Sequence, residues 1–177
     1  PLTVGGGVRD VGDIEKLLMV GADKVSINTA ALAQPSLIEE GALRFGVQCI
    51  VVAIDVRRTP SGYEVHSHSA TRPTGRDPVA WAREAEARGA GEILLTSVER
   101  DGAMCGYDTE LIGQVARAVR IPVIASGGAS CAADFVAAVR DGGASSVAAG
   151  AIFQFTETTP REVREALREA GLPVRRT

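Results

Sequence analysis

Cysteine is scarce in this chain of 177 residues, and the three it has lie far apart. Cys49 falls in a strand-like run, Cys105 in a glycine-flanked loop and Cys131 at the start of a helical stretch. None has metal-site spacing, and an odd count argues against a disulfide framework. They read as reduced thiols, as expected of a cytoplasmic protein. Histidine is scarcer still. His66 and His68 have no third ligand spaced to join them, so no metal is expected and both should face solvent. An excess of charge of one sign is also lacking. The net charge of −3 gives no electrostatic reason to expect nucleic acid or an anionic membrane as partner. No apolar run is long enough to span a bilayer. No G-x-G-x-x-G follows a strand-like run, which speaks against a dinucleotide fold, and no cofactor is expected. No linker or charge block divides the chain, so residues 1–177 are expected to form one domain.

Glycine is plentiful, and its placement is the strongest signal. Pro1-Leu-Thr-Val-Gly-Gly-Gly7 and Pro122-Val-Ile-Ala-Ser-Gly-Gly128 share one plan about 121 residues apart. Each is a short apolar run followed by backbone-only residues. A helical stretch follows each, then Gly-Ala (Gly21-Ala22, Gly143-Ala144), then an apolar strand ending on small residues, Asn28-Thr29 or Gly150-Ala151. Such a recurrence suggests duplication. Glycines let backbone N–H groups approach an anion, so two such units predict a substrate with a phosphate at each end. A complete duplicated protein of this period would have about 240 residues. Roughly two βα units, about 30 residues each, are therefore expected ahead of the first strand.

Apolar β-rich runs alternate with helical stretches throughout, the pattern of parallel βα units. Strands are expected at Leu2–Val4, Lys24–Ile27, Cys49–Asp55, Glu92–Ser97, Pro122–Ser126 and Ser146–Ala149. Their continuous apolar character, Ile50-Val-Val-Ala-Ile54 above all, predicts burial on both faces. The last helix is expected over Arg161–Ala170, between Pro160 and Gly171. Arg57–His68, with Thr-Pro-Ser-Gly at its centre, reads as a β-hairpin inserted after the third strand. Right-handed crossovers allow a doubly wound sheet or a closed barrel. The half-length repeat favours the (β/α)8 barrel, here without its first two βα units.

In such a barrel the active site lies at the C-terminal strand ends. Asp55 closes an apolar strand, a place that raises a carboxyl pKa and suits proton exchange. A salt bridge to Arg57 or Arg58 is the competing account. Asp101, before Gly102, is first of all a turn signal. Lys24 and Glu92 begin apolar strands, where charges are ordinarily solvated rim residues.

Taken together, several stretches carry a resemblance. They are Val4-Gly-Gly-Gly-Val-Arg9, Lys24-Val-Ser-Ile-Asn-Thr29, Val52-Ala-Ile-Asp55, Glu92-Ile-Leu-Leu-Thr-Ser97, Arg100-Asp-Gly102 and Ile124-Ala-Ser-Gly-Gly128. In this order the chain closely resembles the cyclase subunits of imidazole glycerol phosphate synthase, from histidine biosynthesis. The resemblance implies a lyase and cyclase reaction. Ammonia from a partner glutaminase attacks a phosphoribulosyl-formimino carboxamide ribotide, giving imidazole glycerol phosphate and aminoimidazole carboxamide ribotide. It further implies an aspartate pair as acid and base. Asp55 matches the fifth-strand member, and the first-strand member has no counterpart in this sequence. One phosphate site resembles Gly7, Asn28 and Thr29 with the backbone at Ala149-Gly150. The other resembles Asp101, Gly102, Ser126, Gly127 and Gly128, and Thr96 is expected among the substrate-binding residues. Lys24 and Glu92 match half of a charged gate through which ammonia enters.

Two departures from the family pattern stand out. Ala103-Met104-Cys105 follows Asp101-Gly102 where a Thr-Lys type pair is common, and Gly150 replaces a serine. The sister phosphoribosyl isomerase of the pathway shares the glycine signatures but usually not the stretches at Lys24 and Glu92. A barrel that only binds phosphates or docks the glutaminase is the non-catalytic alternative. With half of the acid–base pair absent, the chain alone is expected to show no turnover.

Overall fold

The computed structural model describes residues 1–175. β1 (Thr3–Gly5) leads through α1 (Val11–Met19) to β2 (Lys24–Ile27), α2 (Thr29–Ala33) and α3 (Ser36–Phe45). β3 (Ile50–Thr59) turns back as β4 (Gly62–Ser67) and the short β5 (Arg72–Pro73). Then come α4 (Pro78–Ala87), β6 (Glu92–Ser97), α5 (Thr109–Ala116) and β7 (Val123–Ser126). α6 (Ala132–Arg140), β8 (Ser146–Ala148), α7 (Ala151–Phe155) and α8 (Pro160–Glu169) complete the order. Helix starts follow sequence chemistry. Asp10, Asp77 and Asp108 each accept a hydrogen bond from a backbone N–H of the first turn, and Thr159 with Glu162 closes a capping box on α8.

The parallel strands lie in the order β1-β2-β3-β6-β7-β8, which is their order along the chain. A doubly wound sheet reverses its order at a switch point, and this one does not. Sequential βα crossovers of one hand put every helix on one face, and the result is a curled half-barrel of the (β/α)8 kind. The residue pattern confirms the two faces. Val25, Ile27, Ile50, Val52, Ile54, Ile93, Leu95, Val123 and Ala125 are buried on the helix side. Ser26, Ala53, Asp55, Leu94, Thr96, Ile124 and Ser126 alternate with them and are only half-buried. Burial on both faces, which the apolar runs suggested, holds at Ile50-Val-Val52, where Val51 on the concave side is fully buried, whereas toward the C-terminal strand ends the concave face carries half-buried polar residues.

A second correction concerns Asp55. Its strand does not end there. Cys49 belongs to a short 3-10 turn, and β3 runs four residues beyond Asp55 because β4 continues the ladder. On one edge β3 pairs with β6 from Val51 to Val56. On the other, β2 pairs with Ile50–Val52, and β4 takes over at Asp55, which faces His66. Asp55 therefore stands where β2 stops and the hairpin begins.

Candidate active site

Register across the sheet lines up one row of concave-face residues. Asp55 is level with Thr96, Thr96 with Ser126, and Ser126 with Ala148. Strands are spaced about 4.8 Å apart, so Asp55 and Ser126 lie roughly 10 Å from one another with Thr96 between. Cavities open at both ends of this row.

The first cavity, of about 640 Å³, is lined by Gly6, Gly7, Asn28, Thr29, Asp55 and His68 among others. Gly7 has φ 73°, in the left-handed region, and a Cβ there would meet nothing, so the loop after β1 presents bare backbone to the cavity. Asn28 precedes α2 but does not cap it. Its amide donates instead to Asp55 Oδ2 at 2.9 Å. Burial raises the Asp55 carboxyl above its ordinary value; the Asn28 hydrogen bond opposes this, and the nearby Asp101 carboxylate adds to it. The arginines that competed for Asp55 are turned elsewhere. Arg57 donates to the Ala70 carbonyl and pairs with Glu99, while Arg58 pairs with Glu110 and stacks on Tyr63. The salt-bridge account of Asp55 fails on this geometry.

The second cavity, of about 140 Å³, is lined by Asp101, Gly102, Ser126, Gly127, Gly128 and the Ala148–Ala151 segment. Ala149 and Gly150 belong here and not beside Gly7, which corrects their expected grouping. β8 neighbours β7, and the strand carrying Gly7 lies at the opposite edge of the sheet. Gly128 has φ 110°, and a Cβ on it would sit 2.1 Å from the Gly106 carbonyl oxygen. No side chain fits there without moving the loop. That loop is pinned: Gly106 N–H donates to the Gly128 carbonyl at 2.8 Å, and Arg100 Nη1 donates to the Gly106 carbonyl at 3.0 Å.

Lys24 and Glu92 form an ion pair at the opposite end of the same face. Their side chains are 27% and 20% exposed, too covered for a freely solvated rim. Glu92 is level with Val51, four residues before Asp55, so it lies about 13 Å below the Asp55 row along the strands, and Lys24 about 20 Å.

Several lining residues were not legible in the sequence. His68 and Ser69 border the first cavity because His68, Ser69 and Ala70 take left-handed backbone conformations in succession. This turn folds the hairpin end back, and the His68 N–H donates to Thr29 Oγ1 at 2.9 Å. His66 is the clearest correction. It was expected to face solvent, but it is 9% exposed, because it occupies the inner end of the ladder opposite Asp55.

Comparison with known proteins places the chain in a family. Residues 1–159 match the family described as histidine biosynthesis protein. The imidazole glycerol phosphate synthase subunit HisF of Hyphomonas neptunium is 55% identical over 175 residues, 99% of this chain and 69% of that protein. The HisF subunit of Dehalococcoides mccartyi is 53% identical over the same shares, and that of Streptomyces griseus is 54% identical over 99% of this chain and 70% of its own length. The chain belongs to the histidine biosynthesis family, among the HisF subunits of imidazole glycerol phosphate synthase.

Proposed function

We propose that this chain carries the cyclase and lyase chemistry of histidine biosynthesis. Ammonia and phosphoribulosyl-formimino-aminoimidazole carboxamide ribotide are converted to imidazole glycerol phosphate and aminoimidazole carboxamide ribotide. The observation that carries this reading is the Asp55 row, with a carboxyl of raised proton affinity at one cavity and a glycine cradle at the other. Two separated anion cradles suit a substrate with a phosphate at each end. Gly7, Asn28 and Thr29 would hold one phosphate. Asp101, Gly102, Ser126, Gly127, Gly128 and Gly150 would frame the other, and Thr96 would bridge them along the substrate. Asp55 would exchange protons at the reacting centre between. In this reading the six parallel strands are six of the eight in a closed barrel that forms one domain.

The strand-start end suits a partner. Leu2, Met19, Val20, Leu43 and Val47 are all more than half exposed, and each lies within a few residues of a strand start or of the end of the helix before one. A docked glutaminase subunit would cover this apolar surface and release ammonia beside the pair, which would act as a gate. The test is a chimera in which the first two βα units of the Hyphomonas relative precede residue 1. Ammonia-dependent imidazole glycerol phosphate formation is expected from it. A folded chimera without that activity would defeat the proposal.

A further inference from the structure

Beside Asp55 stands a buried polar group that the proposed chemistry has not used. His66 is its register partner across the β3–β4 ladder. Directly opposed residues of an antiparallel pair share a face, with Cβ atoms about 4.5–5.5 Å apart. His66 is 9% exposed, and its Nδ1 is buried without a hydrogen-bond partner among the described residues. A buried imidazole nitrogen left unpaired is unfavourable, and an apolar ring would fill the same space without that cost. The Asn28 Oδ1 on the other side of Asp55 is likewise buried and unpaired. Asp55 is thus flanked by two buried polar atoms, one on each neighbouring strand end.

We propose that His66 is a positioning residue for Asp55, setting the proton affinity of its carboxyl across the ladder. The inference rests on the proposed role of Asp55 in proton exchange. Among the described residues His66 is the group nearest Asp55 in register that can carry a positive charge. On β3, Arg57 is turned to Ala70 and Glu99. On β4, Glu64 accepts from Gly75 N–H, and the His68 ring beyond it meets Ser67 Oγ. On β5, Arg72 faces Ser67 and Pro73 faces His66. From α4, Glu84 is paired with Arg76 and Arg88. From the loop after β6, Asp101 contributes a second negative charge. A positive charge on His66 opposes that of Asp101 and favours the charged form of Asp55.

The test is carboxyl 13C NMR of the full chain across pH, with the Asp55 signal identified by its loss in Asp55→Asn. Replacing His66 by Phe keeps a ring and removes the charge; Gln keeps polarity and removes the charge. Both should move the Asp55 midpoint upward by about half a unit or more, while His68→Gln leaves it in place. By reciprocity, Asp55→Asn should move the His66 ring titration by the same amount, a measurement that needs no His66 variant to fold. An Asp55 midpoint unmoved in folded His66→Phe, or a His66 titration unmoved in Asp55→Asn, would overturn the assignment. Neither reading depends on turnover, so coupling without cyclase activity in the chimera would sink the functional proposal and leave this one standing.

Discussion

The proton-exchange role proposed for Asp55 rests on what surrounds it more than on its own position. It is half-buried, accepts a hydrogen bond from Asn28 and has no arginine partner among the described residues. Replacing it with Asn keeps the shape and the Asn28 contact but removes the ability to exchange a proton. In the chimera, ammonia-dependent turnover of Asp55→Asn should fall by at least about a hundredfold with little change in KM. A variant within a few-fold of the parent would remove Asp55 from the mechanism. The same substitution should also change stability. Because the folded state raises the Asp55 carboxyl, its protonated form is favoured there. Its contribution is fully present below the ordinary carboxyl value and is lost as pH rises through the raised one. At pH 7 the charged, partly desolvated group therefore weakens the fold. Asp55→Asn should melt higher than the unsubstituted chain near neutrality, and the advantage should shrink as pH falls through the raised value and be gone below about 4. Paired thermal melts at the two pH values decide this; an Asn variant that melts lower at pH 7 would contradict the sign.

Among the elements, the turn after β7 and the start of α6 act as one piece. Asp134 accepts from Ser130 N–H at 2.8 Å, Ser130 Oγ at 2.6 Å and Cys131 N–H at 3.0 Å. Burial would raise its carboxyl, but the Ser130 and Cys131 hydrogen bonds outweigh burial and hold it below its ordinary value. This contribution is present above the ordinary carboxyl value and is lost as pH falls through the lowered one. Asp134→Ala removes three acceptor contacts and should cost about 1–3 kcal/mol, read as a lower urea midpoint. Gly128→Ala acts on the same piece by a different route. Left-handed backbone strain and collision with the Gly106 carbonyl should open the second cavity while leaving the first intact. Phosphate titration followed by amide shifts should then lose the response at Ser126 and Asp101 and keep it at Gly7 and Thr29. Loss at both ends, or at neither, would refute the two-cradle reading.

In the proposed function, strand length separates chemistry from supply across the whole molecule. Glu92 lies about 13 Å and Lys24 about 20 Å below the Asp55 row along the strands, too far to exchange protons with a substrate held there. In the proposed function they influence only how ammonia enters or how a partner docks. In the chimera with a glutaminase present, Lys24→Ala or Glu92→Ala should uncouple glutamine hydrolysis from product formation. Activity with ammonium salts should stay within about twofold of the parent. Equal losses with both nitrogen sources would place the defect in folding and end the gate assignment.

Much of this architecture is local, and local chemistry is legible in a sequence. Alternating apolar runs and helical stretches announce parallel βα units. Gly5-Gly-Gly7 and Gly127-Gly128 mark where backbone must approach closely, since side chains there are strained or excluded. Most element ends were readable to within a residue or two, with the strand Leu2–Val4 observed as Thr3–Gly5 and the helix Arg161–Ala170 as Pro160–Glu169; the end of β3, four residues past Asp55, was not. Cross-strand relations are not local. Nothing along the chain says that Asp55 pairs with His66, that Gly150 borders Asp101, or that Asn28 turns from its helix to a carboxylate. Each depends on register and strand order, which arise when distant segments compete for one ladder. The residue types that could do the chemistry were thus determined by the sequence itself. Which of them meet, and so whose proton affinity and cavity each one shapes, was decided only when the sheet assembled.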